Sequence, residues 1–240
     1  MKVTSLWRYP VKSMQGEQLT TADVTNVGLA GDRQWAVFDV ATGLALTAKR
    51  EPRLLEAFAS IDNDGHVVIT LPDRTAGSSD QALSTWLGRA VTLRRATHDH
   101  AATYEIAADF EREADSQLHT WQGPVGSFHD SGRTHVSLAS TRSFGSWSAR
   151  RFRMNIIVDA SGEDGFIGET VGIGTARLSF VKAIDRCIMV TRAQPAMGND
   201  PALERDLDVL RIINATRQSF LGVGALIHTT GAISEGDTLL

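Results

Sequence analysis

Apolar and polar positions alternate from Val3 to Tyr9, the period of a half-buried strand, and Pro10 ends the run. Strands are expected again at Gln18 to Val24, Gln34 to Val40, Leu44 to Thr47, Leu54 to Ile61, His66 to Leu71 and Val91 to Arg95. Ala41-Thr42-Gly43 and Asn63-Asp64-Gly65 read as hairpin turns between them, and Val27 to Arg33 as a glycine-punctuated turn. Ser79 to Leu87 has the signs of a short helix, with Ser79 as its cap and Gly88 past its end. In the second half, strands are expected at Thr134 to Leu138, Phe152 to Asp159, Ala176 to Ala183, Val223 to His228 and Asp237 to Leu240, with a turn at Gly231. A short helix is expected over Ala139 to Ala149. A longer one is expected over Asp200 to Thr216, capped by Asp200, with Pro201 first and Leu203, Leu207, Leu210 and Ile213 on one face. Glycines punctuate 162–174 as a loop.

Many short strands at turn-marked spacing indicate a barrel or sandwich. Between the β-rich halves, His98 to Gly123 is polar, acidic and poor in large aliphatics, and reads as a linker or mobile excursion. Its histidines His98, His100 and His119 lie near Asp99, Asp109 and Glu113. Their spacing matches no standard metal site, so a solvated loop is the better reading. The domain expectation is therefore 1–97, a polar connection 98–123, and 124–240.

Composition narrows the class. The 240 residues are 42% hydrophobic and 22% charged, with net charge −4, which argues against general nucleic-acid binding. No apolar run approaches a membrane span and the N-terminus lacks a signal-peptide core, so a soluble cytoplasmic protein is expected. The chain has a single cysteine, Cys187, directly after Arg186 in an apolar run. It excludes an internal disulfide and any all-cysteine metal site. A buried spectator, a nucleophile or one soft ligand to a metal remains. Gly-x-Gly-x-x-Gly, P-loop, Gly-x-Ser-x-Gly and His-Glu-x-x-His patterns are absent. Three cationic loops stand out: Lys12-Ser13, Gly31-Asp32-Arg33, and Arg151-Phe152-Arg153-Met154-Asn155. Lysine, arginine and free backbone N–H groups suit a phosphate, and arginine with asparagine suits a flat heterocycle.

These stretches belong to a longer set in a fixed order: Tyr9 to Ser13, Gly28 to Trp35, Thr47 to Leu54, Arg151 to Ile156, Arg186-Cys187, and Gly231 to Asp237. The chain thereby resembles the two-part MOSC proteins, similar to the amidoxime-reducing components and their bacterial relatives. The resemblance implies a mainly β fold with a few helices (α+β), a β-barrel MOSC domain packed against a smaller N-terminal β-barrel or sandwich domain. It implies a molybdenum cofactor (Mo-molybdopterin), with Cys187 as metal ligand and catalytic residue. Lys12, Ser13 and Arg33 would hold the molybdopterin phosphate. Arg153 and Asn155 would lie around the pterin with Ser140 nearby, and Arg186 beside the thiolate. It also implies reduction of N-oxygenated small molecules such as N-hydroxylated amidines and hydroxylamines. Electrons would come from a separate protein of ferredoxin, flavoprotein or cytochrome type. A cofactor carrier or sulfur-relay protein working through a Cys187 persulfide is the alternative. After Cys187 the chain departs from the common family run Cys-x-x-Thr-Thr-x-Asp-Pro: Val190 replaces a threonine, one residue is extra, and no acid precedes Pro195.

Overall fold

The alternating start of the chain becomes β1, Val3–Arg8, in a computed structural model that describes residues 1–109 and 115–240. Val3 and Leu6 point into the core, and β2, Glu17–Leu19, folds back against β1. β3, Thr21–Thr25, and β4, Gly28–Leu29, follow, then β5, Trp35–Asp39. The Asn63-Asp64-Gly65 turn joins β6, Phe58–Ile61, to β7, Val67–Thr70, as an antiparallel hairpin. In α1, Asp80–Leu87, Ser79 Oγ accepts from Ala82 N at 3.2 Å and Gly88 closes the helix at φ 64°. β8, Val91–Arg95, pairs with β5. Leu44 to Thr47, expected as the partner of β5, lies along the edge of β5 opposite β8 but forms only a bridge, from Ala45 to Phe38.

The described parts of the expected linker carry strands. Within 98–123, β9, Thr103–Ala107, and β10, Leu118–Gln122, form an antiparallel hairpin. Tyr104 of β9 is fully buried and stacks on Trp121 of β10 with centroids 4.5 Å apart. Two large aromatics in register thus supply the packing that the scarcity of aliphatics had concealed. Glu113 lies outside the described residues.

The second half supplies β11, Val136–Ser140; β12, Ile156–Val158; β13, Thr170–Ile173; β14, Ala176–Asp185; α2, Asp208–Arg217; β15, Phe220–Thr229; and β16, Gly231–Ser234. Four expectations differ here. The stretch 162–174, expected as a loop, ends in β13, which pairs with β14. Residues 139–149 form no α-helix; two 3-10 turns, Thr141–Phe144 and Ala149–Phe152, replace it, with Ser140 capping the first. The long helix starts at Asp208 rather than Asp200. Asp200 exchanges backbone hydrogen bonds with Met197, Leu203 does so with Gln194, and Asp206 N donates to Thr191 O. The groups that would open the helix are therefore already paired to the segment after Cys187. Asp237 to Leu240 is no strand; it contributes bridges from Thr238 to Lys2 and from Leu239 to Ile173, and the last strand is β16.

A seven-stranded sheet runs β13-β14-β15-β11-β12-β1-β2, with β11 and β12 parallel and its other neighbours antiparallel. β16, β3 and β4 form a second sheet. The largest apolar core joins Val3, Leu6, Val24 and Leu29 to Leu138, Ile156, Leu178, Phe180 and Val223. A separate core beneath α1 gathers Val11, Met14, Leu54, Leu55, Ile69 and Leu83. Among the described residues the chain is mainly β with two α-helices, and its first strands belong to the sheet of the second half. Gly222 shows how tightly the sheet closes: at φ 78°, a Cβ there would lie 2.8 Å from Leu138 O.

Candidate functional site

A cavity of about 330 Å³ opens where the two halves meet. Lys12, Ser13, Arg33, Arg153, Asn155, Arg186 and Cys187, spread over 176 positions of the chain, all line it. Each reaches it from a strand end. Lys12 and Ser13 follow β1, with Lys12 N donating to Trp35 O. Arg33 sits in the turn before β5; its N–H donates to Tyr9 O and its carbonyl accepts from Phe128 N. Arg153 ends the 3-10 turn ahead of β12. β14 reaches Cys187 through a register shift between Ala183 and Asp185, which re-aims its last residues. Cys187 stands just beyond the strand and begins the 3-10 turn Ile188–Thr191, partly exposed rather than sealed in apolar packing. Ser13 (φ 70°), Arg33 (φ 51°) and Arg153 (φ 52°) all hold left-handed backbone, an uncommon state that clusters at functional sites.

Most of the cations are held in place by the protein itself. Lys12 Nζ donates to Phe128 O at 2.8 Å and to Asp130 at 2.7 Å, and lies 4.6 Å from the Tyr104 ring centroid. Burial pulls the Lys12 ammonium below its ordinary pKa while Asp130 opposes that loss. Neighbouring atoms desolvate the solvent-facing Asp130 carboxyl and push it up, but Lys12, Lys49 and Arg33 outweigh that and hold the group below the carboxylate range. Arg33 pairs with buried Asp32, which also accepts from Tyr9 N at 2.7 Å. The Arg33 and Arg153 guanidinium groups lie 5.1 and 4.3 Å from the Tyr9 ring centroid. Burial raises the Tyr9 hydroxyl to about 12 although both arginines pull it down, so the ring stays neutral between them. Burial lowers Arg153 and Arg186 to about 10, which leaves both charged at neutral pH.

Arg186 bonds Leu221 O, Phe152 O and Met154 Sδ, tying together the three segments behind the cysteine. Arg150 and Arg151 cap carbonyls of the following segment, at Pro195 and Pro201 and at Val190, Arg192 and Glu204. The run of basic residues before β12 therefore builds the wall that presents Cys187. Asn155 borders the cavity, but its Oδ1 accepts from Ser137 N and Oγ and its Nδ2 donates to Trp7 O, so it braces β11 against β1. Ser140 is not brought to the cavity. It is fully buried at the end of β11, where its hydroxyl caps the next turn by accepting from Ser143 N.

Among the lining residues not singled out as site residues from the sequence are Thr47, Lys49, His129, Asp130 and His135. Thr47 and Lys49 lie in a stretch that carried the resemblance, but without an assigned role. His129 and Asp130 lie in an aperiodic segment, and His135 sits in an expected strand with no spacing signal that marks it. Gly28 admits the His135 backbone: at φ 117°, a Cβ there would meet His135 O at 2.6 Å. Thr47 Oγ1, His129 Nε2 and His135 Nδ1 are buried without a hydrogen-bond partner among the described residues. Burial, with Arg33 close by, lowers His129 to about 3 and keeps it neutral. Buried polar atoms without partners in a cationic cavity ask for a ligand that supplies them. Acidic residues and histidines of 98–123 form no metal-ligand cluster among the described residues; the one such group, Asp62, Asp64 and His66, is exposed.

The sequence matches the MOSC N-terminal beta barrel domain over residues 1–113 and the MOSC domain over residues 121–240. The chain belongs to the MOSC family. It is 42% identical over 67 residues to the molybdenum cofactor sulfurase of Botryotinia fuckeliana (strain B05.10), a match covering 27% of this chain and 8% of that protein. It is 39% identical over 66 residues to the human mitochondrial amidoxime-reducing component 1, covering 26% of this chain and 19% of the relative. These matches span less than a fifth of the relatives' lengths. Among solved structures, the YUAD protein from Bacillus subtilis aligns over 99% of this chain and 93% of its own, at 11% identity and TM-score 0.44. No helix among the described residues is long and apolar enough to cross a membrane.

The donor set fits a MOSC-type ligand. Seven cations, Lys12, Arg33, Lys49, Arg151, Arg153, Lys182 and Arg186, line a space that also holds one sulfur. A thiolate is a soft metal ligand, and the cations and hydroxyls suit a phosphate.

Proposed function

We propose that the protein binds a molybdenum cofactor in this cavity and reduces N-oxygenated small molecules with electrons from a separate protein. The observation that carries the reading is the convergence of Cys187 with Lys12, Ser13, Arg33 and Arg153 on one cavity. Partial similarity to an amidoxime-reducing component supports the substrate class. When bound, the group would supply a two-electron centre for removing oxygen from nitrogen.

The chain's own part is placement. Cys187 offers its sulfur to the metal from a turn held by Arg151 and Arg186. Lys12, fixed by Phe128 O and Asp130, and Arg33, fixed by Asp32, offer charge to a phosphate with little left to reorganise. Tyr9 keeps Arg33 and Arg153 side by side despite their like charge. Benzamidoxime reduction by cofactor-loaded protein with an artificial electron donor tests the reading. Loaded protein that reduces no N-oxygenated compound would contradict it. The similarity to a molybdenum cofactor sulfurase favours one second reading, sulfur relay through a Cys187 persulfide. Native mass spectrometry showing an extra sulfur on Cys187 in metal-free protein would select it.

A further inference from the structure

Several sheet edges in this fold are covered by the chain itself. Along β7, Ile69 O accepts from Gly77 N and Ile69 N donates to Ser78 Oγ. On β8, Val91 N donates to Ser84 Oγ and Leu93 N to Asp80, both from α1. Gly172 of β13 exchanges backbone bonds with Leu240, and Ala232 N of β16 donates to Thr175 Oγ1. β10 differs. Ala108 N donates to Gln117 O and Gly123 N to Ala102 O, so the register turns the main-chain groups of His119 and Trp121 toward β9. Those of Leu118, Thr120 and Gln122 face away from the sheet, and no hydrogen bond engages them among the described residues.

Proteins commonly protect such an edge with a charge or a proline. β10 has neither: Leu118-His119-Thr120-Trp121-Gln122 contains no Asp, Glu, Lys, Arg or Pro. Leu118 is 39% exposed at its start, and Val125 is 53% exposed just past its end. The strand is anchored from behind, where Trp121 stacks on fully buried Tyr104. A fixed, uncharged edge with apolar ends suits an added strand.

The edge complements itself. Two copies run antiparallel about a two-fold axis at Thr120 set Leu118 of one opposite Gln122 of the other, and Thr120 opposite Thr120. All the outward residues then exchange main-chain bonds, and His119 faces Trp121 across the joint. Asp115, the nearest described acid before the strand, falls level with Val125 of the other copy, so like charges do not meet.

We infer that the β10 edge is a homodimer interface, joining two β9–β10 hairpins into one continuous antiparallel sheet. The inference goes beyond the functional reading and does not depend on it. The joint lies beside the ligand cavity, since the Trp121 ring centroid is 5.9 Å from Lys12 Nζ and 5.7 Å from Lys49 Nζ.

Sedimentation equilibrium of the full-length protein tests it. Wild type forms a reversible dimer with a Kd on the order of tens of micromolar, as a short edge contact implies. Thr120→Pro weakens the dimer about tenfold or more, while the monomer keeps its fold because that N–H faces outward. Thr120→Lys and Thr120→Glu each set like charges together at the axis and stay monomeric, and an equal mixture of the two forms a heterodimer. Val68→Lys, exposed on covered β7, associates as wild type does. Wild type that stays monomeric throughout would overturn the inference and leave the edge to a strand from a different protein. Dimers unaffected by Thr120→Pro and both charge variants, in protein with wild-type circular dichroism, would overturn it by placing the contact elsewhere. Charge variants that do not pair when mixed would overturn the two-fold axis at Thr120.

Discussion

His129 is a neutral imidazole enclosed with Arg33, Lys12, His135 and Asp32 around it, and its pKa falls from the ordinary value to about 3. An unfolded chain would take up a proton on this residue near pH 6.5. The folded protein resists doing so until about 3. Between those values the unfolded state binds more protons, so stability falls as pH falls. His129→Gln in cofactor-free protein is expected to flatten that part of the curve, as read by denaturant midpoints from pH 7 to pH 4. An unchanged slope would mean that the imidazole is reached by solvent. At this scale the sequence was most legible where chemistry is rare: one cysteine can be found by counting. It was least legible where identity hides use. Asn155 and Arg186 look like ligand contacts but bond the chain itself, and Lys49 carries no distinguishing signal until the fold places it on the cavity wall.

Among the elements, the segment after Cys187 depends on arginine rather than on periodicity. Arg151 donates to Val190 O, Arg192 O and Glu204 O, tying the segment after Cys187 to the stretch ahead of α2. Arg151→Met is expected to leave those carbonyls without partners, destabilising the protein by about 1–3 kcal/mol. Hydrogen exchange should quicken across 188–206 before it does in β14. Uniform loss of protection would show that Arg151 holds the whole core instead. Helix and strand periods could not reveal this segment, because its order comes from side-chain-to-backbone bonds between distant positions. α1 was readable because its signals, Ser79 and Gly88, are local. The β9–β10 hairpin was not, because it is closed by one Tyr–Trp pair.

For the whole molecule, the division suggested by composition and the division of the core do not coincide. β1 lies between β12 and β2 in the large sheet, and β16 pairs with β3. A fragment of residues 124–240 would lack β1 and leave β12, with Ile156 and Val158, as a bare sheet edge. It is expected to stay unfolded or to aggregate, by circular dichroism and sedimentation, and to fold when residues 1–123 are supplied. A soluble folded fragment would contradict the shared core. Leu138, fully buried in that core, should cost about 2–5 kcal/mol on replacement by alanine, in a single unfolding transition. The alternation of β1 announced a strand, but not which half it joins; that follows from which partner edge is left open.

The shared sheet brings the ends of β1, β12 and β14 to one cavity, and the central claim is that one sulfur and a set of cations hold one ligand there. Molybdenum and pterin content, measured on wild type, Cys187→Ala and Lys12→Met made in cells that synthesise the cofactor, test it most directly. The account predicts both components in wild type, metal loss with part of the pterin retained in Cys187→Ala, and joint loss in Lys12→Met. Wild type without molybdenum, or equal metal and pterin in all three proteins, would contradict it.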